Sequence, residues 1–120
     1  MTSLRLFAAF CAAVVWAESC HADCSSLHAL AQQHANDMAR RNSLDHAGFM
    51  QRRGPAGAVA ENVAMGCETE ACARRMWMHS PPHRAALMDG RYTRIGVARR
   101  KGMLGGQGSI VFTADLASRR

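Results

Sequence analysis

Apolar and polar positions divide the chain into segments with different periods. Behind Ser25 and Ser26, the residues Leu27, Leu30, Ala31, His34, Ala35, Met38 and Ala39 recur at the i, i+3, i+4, i+7 spacing of one helix face. Gln32, Gln33, Asn36, Asp37, Arg40 and Arg41 take the opposite side, and either serine can cap the first turn. The spacing predicts a helix ending near Asn42-Ser43, with His46 in the next loop beside Gly48. Residues 51–58 read as loop because Gly54, Pro55 and Gly57 interrupt them. Glu61-Asn62-Val63-Ala64 follows as a short, partly buried segment. A second helix is predicted over 68–79, acids first and Arg74-Arg75 later to suit its dipole, turning Cys72, Ala73, Met76 and Trp77 inward. Ser80-Pro81-Pro82 stops it, and Pro82 opens a short helix through about Met88. Residues 94–98 and 109–114 read as two strands. The glycines of 102–108 between them do not lead from a strand into a helix, so they make a mobile hairpin connection rather than a phosphate loop. This order of elements predicts a single α+β domain.

The first residues follow neither period. Residues 1–17 hold 14 apolar residues behind Arg5, the make-up of a signal peptide and too short a run to span a bilayer comfortably. Cleavage after Ala17 or Ala22 fits the small-residue rule. Cutting after Ala17 is preferred, because it retains Cys20, Cys24, Cys67 and Cys72, an even set fit for two disulfides in an oxidising compartment. Three connectivities exist for four cysteines, the local pairs Cys20–Cys24 and Cys67–Cys72 being the simplest. Ala17-Glu18-Ser19 is a poor lipobox for acylation of Cys20, and a zinc site on the four thiols is the weaker reading once export is granted. The expectation is a secreted or periplasmic protein with no transmembrane anchor after cleavage, organised as signal peptide 1–17, a cysteine-containing segment 18–25 and a domain 26–120.

Composition changes the picture of the core. Residues 18–120 keep 44 apolar residues, of which 17 are Ala and only 14 are Leu, Ile, Val or Phe. With 14 Lys+Arg against 9 Asp+Glu, this part carries +5, too little to force disorder. The reading is a folded, thinly cored domain in which Met fills gaps and disulfides staple the rest. The basic residues come in dispersed doublets such as Arg40-Arg41, Arg52-Arg53 and Arg74-Arg75, without interleaved aromatics. They read as solvated faces, and no nucleic-acid partner is expected.

His46, Glu61 and His83 each sit at a break between elements. Two imidazoles and a carboxylate can bind a transition metal, share protons or simply hydrogen-bond loops together. Pro81-Pro82 breaks any helical His79/His83 pair, no Gly-x-Ser-x-Gly elbow exists, and paired cysteines leave no thiol nucleophile.

Four ordered motifs resemble the CAP superfamily of cysteine-rich secretory, antigen 5 and pathogenesis-related proteins, in its bacterial SCP-like branch. The run from His34 to His46 looks like the family's first helix and histidine. Glu61-Asn62-Val63-Ala64-Met65-Gly66 is similar to its Gly-Glu-Asn-Val/Ile-Ala-x-Gly motif, with Ala60 in place of the first Gly. Trp77-Met78-His79-Ser80-Pro81-Pro82-His83-Arg84 resembles Trp-Met-x-Ser-Pro-Gly-His-Arg, and Tyr92-Thr93-Arg94-Ile95-Gly96-Val97 the strand that follows. The resemblance implies an α-β-α sandwich around a small antiparallel sheet, with His46, Glu61 and His83 converging in a surface cleft. Many members carry a second acid three residues after the Trp, where this chain has Ser80. The implied function is an exported binding or interaction module. Its cleft (His46, Glu61, His83, Ser80) would take a small molecule, lipid or extracellular protein, with no required cofactor, or Zn²⁺ held by His46 and His83. The alternative is a protease-like hydrolase with Glu61 as general base.

Overall fold

The computed structural model describes residues 25–54, 56–104 and 108–118. The signal segment, both candidate cleavage sites and Cys20 and Cys24 lie outside the described residues, as do residues 105–107 of the glycine-rich connection. The elements are α1 (Ser25–Arg41), α2 (Phe49–Arg52), β1 (Ala58–Met65), α3 (Glu70–Met78), α4 (Pro81–Met88), β2 (Tyr92–Gly102) and β3 (Ser109–Ser118).

The helix ends follow local chemistry. Asn42 takes the left-handed conformation at φ 53, and Ser43 N–H returns to Met38 C=O at 3.0 Å, closing α1 one residue past Arg41. Thr69 Oγ1 accepts from Cys72 N–H at 3.2 Å and starts α3. Pro81 and Pro82 occupy the first turn of α4, where their missing N–H groups cost nothing. The expected loop at 51–58 is in part structured. Phe49–Arg52 forms one helical turn, and β1 already begins at Ala58.

The three strands pair antiparallel in the order β1-β3-β2. β3 is therefore central, and it is buried without interruption over residues 111–117. Alternate residues serve two layers. Phe112, Ala114 and Leu116 pack with Trp77 and Ala73 of α3, while Val111 and Ala117 meet residues of α1. This is the expected helix–sheet–helix sandwich. Trp77 also donates Nε1–H to Val63 C=O at 2.9 Å, fixing α3 to β1. β2 is an edge strand, and two side chains of α1 cover outward carbonyls: His28 Nδ1 donates to Val97 C=O at 2.8 Å and Gln32 to Arg99 C=O at 3.0 Å.

Methionine does not fill the core as expected. Met38 is fully buried, whereas Met50, Met65, Met76, Met78, Met88 and Met103 are exposed. Ala and Gly do that work instead, by letting helix and sheet approach until small side chains suffice. Met76 was expected inward and is 44% exposed, its sulfur lying 3.1 Å from Cys67 Sγ.

Cys67 and Cys72 form a disulfide that ties the end of β1 to α3. The loop it closes is short, with a sequence separation of 5. Loop-closure entropy therefore gives about 2 kcal/mol. The double substitution Cys67→Ala/Cys72→Ala is expected to lower Tm by about 10 °C, measured by circular dichroism. An unchanged Tm would show that the thin core does not depend on this staple.

Candidate functional site

The site is assembled where the loop after α1 meets β1 and β3. Arg41 binds Asp45 through two N–H groups at 2.9 and 3.0 Å, Ser43 Oγ donates to Asp45 at 2.6 Å, and Ala47 N–H donates at 3.0 Å. The Arg41 guanidinium first, then the Ser43 hydroxyl, hold the Asp45 carboxyl well below the usual carboxylate range. From beneath, His34 Nε2 donates to Asp45 C=O at 2.7 Å. The loop is thus held from both sides, and it presents His46 with half its side chain in solvent.

Glu61 is the centre of this region. Its side chain is only 1% exposed. Arg52 reaches both oxygens, at 2.6 and 3.0 Å, and His46 Nδ1 lies 3.0 Å from Oε1. His34 Nε2 is 3.5 Å from the same oxygen. Across the strand pair stands Asp115, which is Glu61's register partner and is 0% exposed.

Two buried carboxyls side by side cannot both ionise cheaply. Burial raises the Glu61 pKa, but hydrogen bonds from Arg52, Asp115 and His46 outweigh it and bring the value down to about 2. For Asp115, burial and the adjacent Glu61 push the value up to about 9. Taken as a carboxylate, Asp115 has no donor to either oxygen. Taken as a carboxylic acid, it faces an acceptor in Glu61. The protonated form removes that conflict, and the pair carries one negative charge, balanced by Arg52.

His46 and Glu61 meet. His83 Nδ1 instead lies 2.9 Å from Ser80 Oγ, and its backbone carbonyl accepts from Asn62 Nδ2 at 3.1 Å. Asn62 follows Glu61 in β1, so the two side chains leave opposite faces of the strand. Among the described residues, no three His, Cys, Asp or Glu side chains form a group that could hold a metal ion.

Sequence reasoning missed three members of the cluster. His34 counted as one position of an apolar stripe, Arg52 as half of a solvated doublet, and Asp115 as the residue after a predicted strand. The available signals were an imidazole on a buried helix face and a carboxyl inside a mostly apolar run, 110–117.

His34 and Arg52 also line a cleft of about 920 Å³ between α1, the start of α2 and the end of β2. Arg100 and Lys101 form its β2 side, and Gln33 and Gln51 stand on the helices.

Comparison with known proteins gives two findings. The family model described as "CAP: Cysteine-rich secretory protein family" matches residues 14–115. Among solved structures, the chain is similar to an outer surface protein from Borrelia burgdorferi. The TM-score is 0.56 at 15% identity, covering 88% of this chain and 91% of that one, a likeness of fold. Comparison with curated proteins gives no match. No helix among the described residues is long and apolar enough to cross a membrane.

Proposed function

Because this chain belongs to the CAP: Cysteine-rich secretory protein family, we propose that it is an exported binding module. Its cleft between α1, α2 and β2 takes a small ligand, and the Glu61 cluster fixes the wall of that cleft. The apolar run behind Arg5 supports the export part of the reading.

The observation that carries the binding part is the state of Glu61. A general base needs a free lone pair aimed at substrate and a pKa near working pH. Glu61 has neither: Arg52 takes both oxygens, the side chain is 1% exposed, and its pKa falls to about 2. The same arrangement does not fit the divalent metal that the resemblance implies. A guanidinium occupies the carboxylate that would neutralise the cation. No step of the proposed function therefore runs through a metal.

Glu61 serves instead as a clamp joining α2, the His46 loop and β1. Glu61→Gln is expected to lower stability by about 2 kcal/mol, because it leaves Arg52 without a counter-charge. A peptide-library digest is expected to look the same for wild type and variant. Cleavage by wild type that disappears in Glu61→Gln, at unchanged Tm, would replace the binding reading with the hydrolase one.

A further inference from the structure

Three sulfurs stand together where β1 meets α3. Cys67 and Cys72 are joined as a disulfide, and Met76 Sδ lies 3.1 Å from Cys67 Sγ. Cys72 and Met76 are four residues apart on α3, which puts both on one face of the helix. The three differ in access. Cys67 is buried at 4% exposure, Cys72 is partly buried and Met76 is 44% exposed. The sulfur most open to a dissolved oxidant therefore touches the one most shielded from it.

This arrangement holds the reactants of two linked reactions. Peroxide oxidises an exposed thioether to a sulfoxide, and a thiol oxidised to a sulfenic acid condenses with a second thiol to a disulfide. Atoms held about 3–3.5 Å apart are already at attack distance, so a transfer between them is effectively unimolecular. The contact between Met76 and Cys67, at 3.1 Å, lies in that range.

We propose that Met76 is an oxidation site that the Cys67/Cys72 pair repairs, so that the protein reduces peroxide while consuming a dithiol. Hydrogen peroxide gives one oxygen to the Met76 sulfur and leaves as water. A dithiol reductant opens the disulfide at Cys72, the less buried of the two cysteines, leaving two thiols and the oxidised dithiol. The Cys67 thiol attacks the sulfoxide sulfur. The oxygen ends on Cys67 as a sulfenic acid, and Met76 returns to the thioether. The Cys72 thiol then displaces that oxygen as water and closes the disulfide. Over the cycle, one peroxide and one dithiol become two waters and the oxidised dithiol, with the protein unchanged. The proposal is independent of the binding reading, since none of the three residues lines the ligand cleft.

Peptide mass spectrometry reads each methionine separately. The full chain is oxidised with hydrogen peroxide, freed of it and then given dithiothreitol. Met50 on α2 and Met88 on α4 are the controls, because at 63% and 66% exposure they are more accessible than Met76. All three are expected to gain an oxygen, and Met76 is expected to lose it at least about tenfold faster than either control. Cys67→Ala/Cys72→Ala, kept below its lowered Tm, is expected to abolish that difference. Met76→Leu keeps the disulfide and is expected to slow peroxide-dependent consumption of dithiothreitol about tenfold. Loss of oxygen at one rate from all three methionines would overturn the proposal. So would rapid repair of Met76 in the double variant, which would assign it to direct reduction by dithiothreitol, and so would a Met76 that stays unoxidised while Met50 and Met88 react. The comparison within the wild-type chain needs no variant, so it decides the matter even where the double variant does not fold.

Discussion

Gly96→Ala is expected to lower the stability of this domain by about 4 kcal/mol, or to prevent folding at 37 °C. The reason is the distance between α1 and the sheet. A Cβ at Gly96 would lie 2.3 Å from the backbone nitrogen of His28, 2.3 Å from the carbonyl carbon of Leu27 and 2.7 Å from its oxygen. All three are backbone atoms, so no rotamer change relieves the clash. Either the helix moves off β2 or β2 bends. Moving the helix would break the hydrogen bonds from His28 and Gln32 to the β2 carbonyls and open the packing of Leu27 and Leu30. Six residues on, the same approach is looser. A Cβ at Gly102 would stand 3.0 Å from Ala39 Cα, close enough to need only a small adjustment. Gly90 is the control. Nothing lies within 4 Å of a Cβ there, and Gly90→Ala is expected to change stability by no more than about 0.5 kcal/mol. Urea unfolding of the two variants separates these outcomes. A Gly96→Ala protein within about 1 kcal/mol of wild type would mean that α1 does not seat on β2 at this point.

Asp115→Asn is expected to change how stability depends on pH. In the folded chain Asp115 holds its proton up to about pH 9, against 3.8 for an ordinary aspartate, while Glu61 is ionised down to about pH 2 against 4.5. Glu61's depressed value contributes stability above its unfolded pKa, lost as pH falls through the folded one. Asp115's raised value works the other way: its contribution is complete below pH 3.8 and is lost as pH rises toward 9. Between about pH 5.5 and 8 the folded pair binds one proton and the unfolded pair none. Stability then falls by about 1.4 kcal/mol per pH unit, or about 3 kcal/mol over that window. Asparagine removes this slope, because its amide can donate to Glu61 at every pH. Relative to wild type, the variant should gain about 3 kcal/mol of stability between about pH 5.5 and 8. Other titrating groups act on both proteins alike, so the difference between the two curves isolates the pair. Parallel curves would show that Asp115 is ionised in the folded state.

The two expectations concern the same surface from different ends. Gly96 and Gly102 seat α1 against β2, and the Glu61–Asp115 pair lies where α1 faces β1 and β3. Small residues at the first place permit the close approach, and the approach excludes water from the second. A carboxyl that would be ionised on an open strand is protonated here because a helix covers it.

Much was legible in the sequence because it depends on near neighbours. The apolar stripe from Leu27 to Met38 marked α1, Asn42-Ser43 marked its end, and Pro81-Pro82 marked the break before α4. The pairing of Cys67 with Cys72 was one of the arrangements open to four cysteines. His46 and Glu61 stood out through their motifs, and they meet at 3.0 Å. What misled the reading was exposure. Met76 follows the helical spacing of Cys72, Ala73 and Trp77 and still faces solvent.

The sequence by itself determined the order of elements, the α+β class and the family motifs, since each is set by residues a few positions apart. Only the tertiary structure decided which groups surround the Glu61 carboxylate. The groups that clamp it, His34, Arg52 and Asp115, come from a helix, a short turn and the last strand. The field at a buried carboxyl is set by what lies within a few ångströms in space, and that distance is not written in any local run of residues.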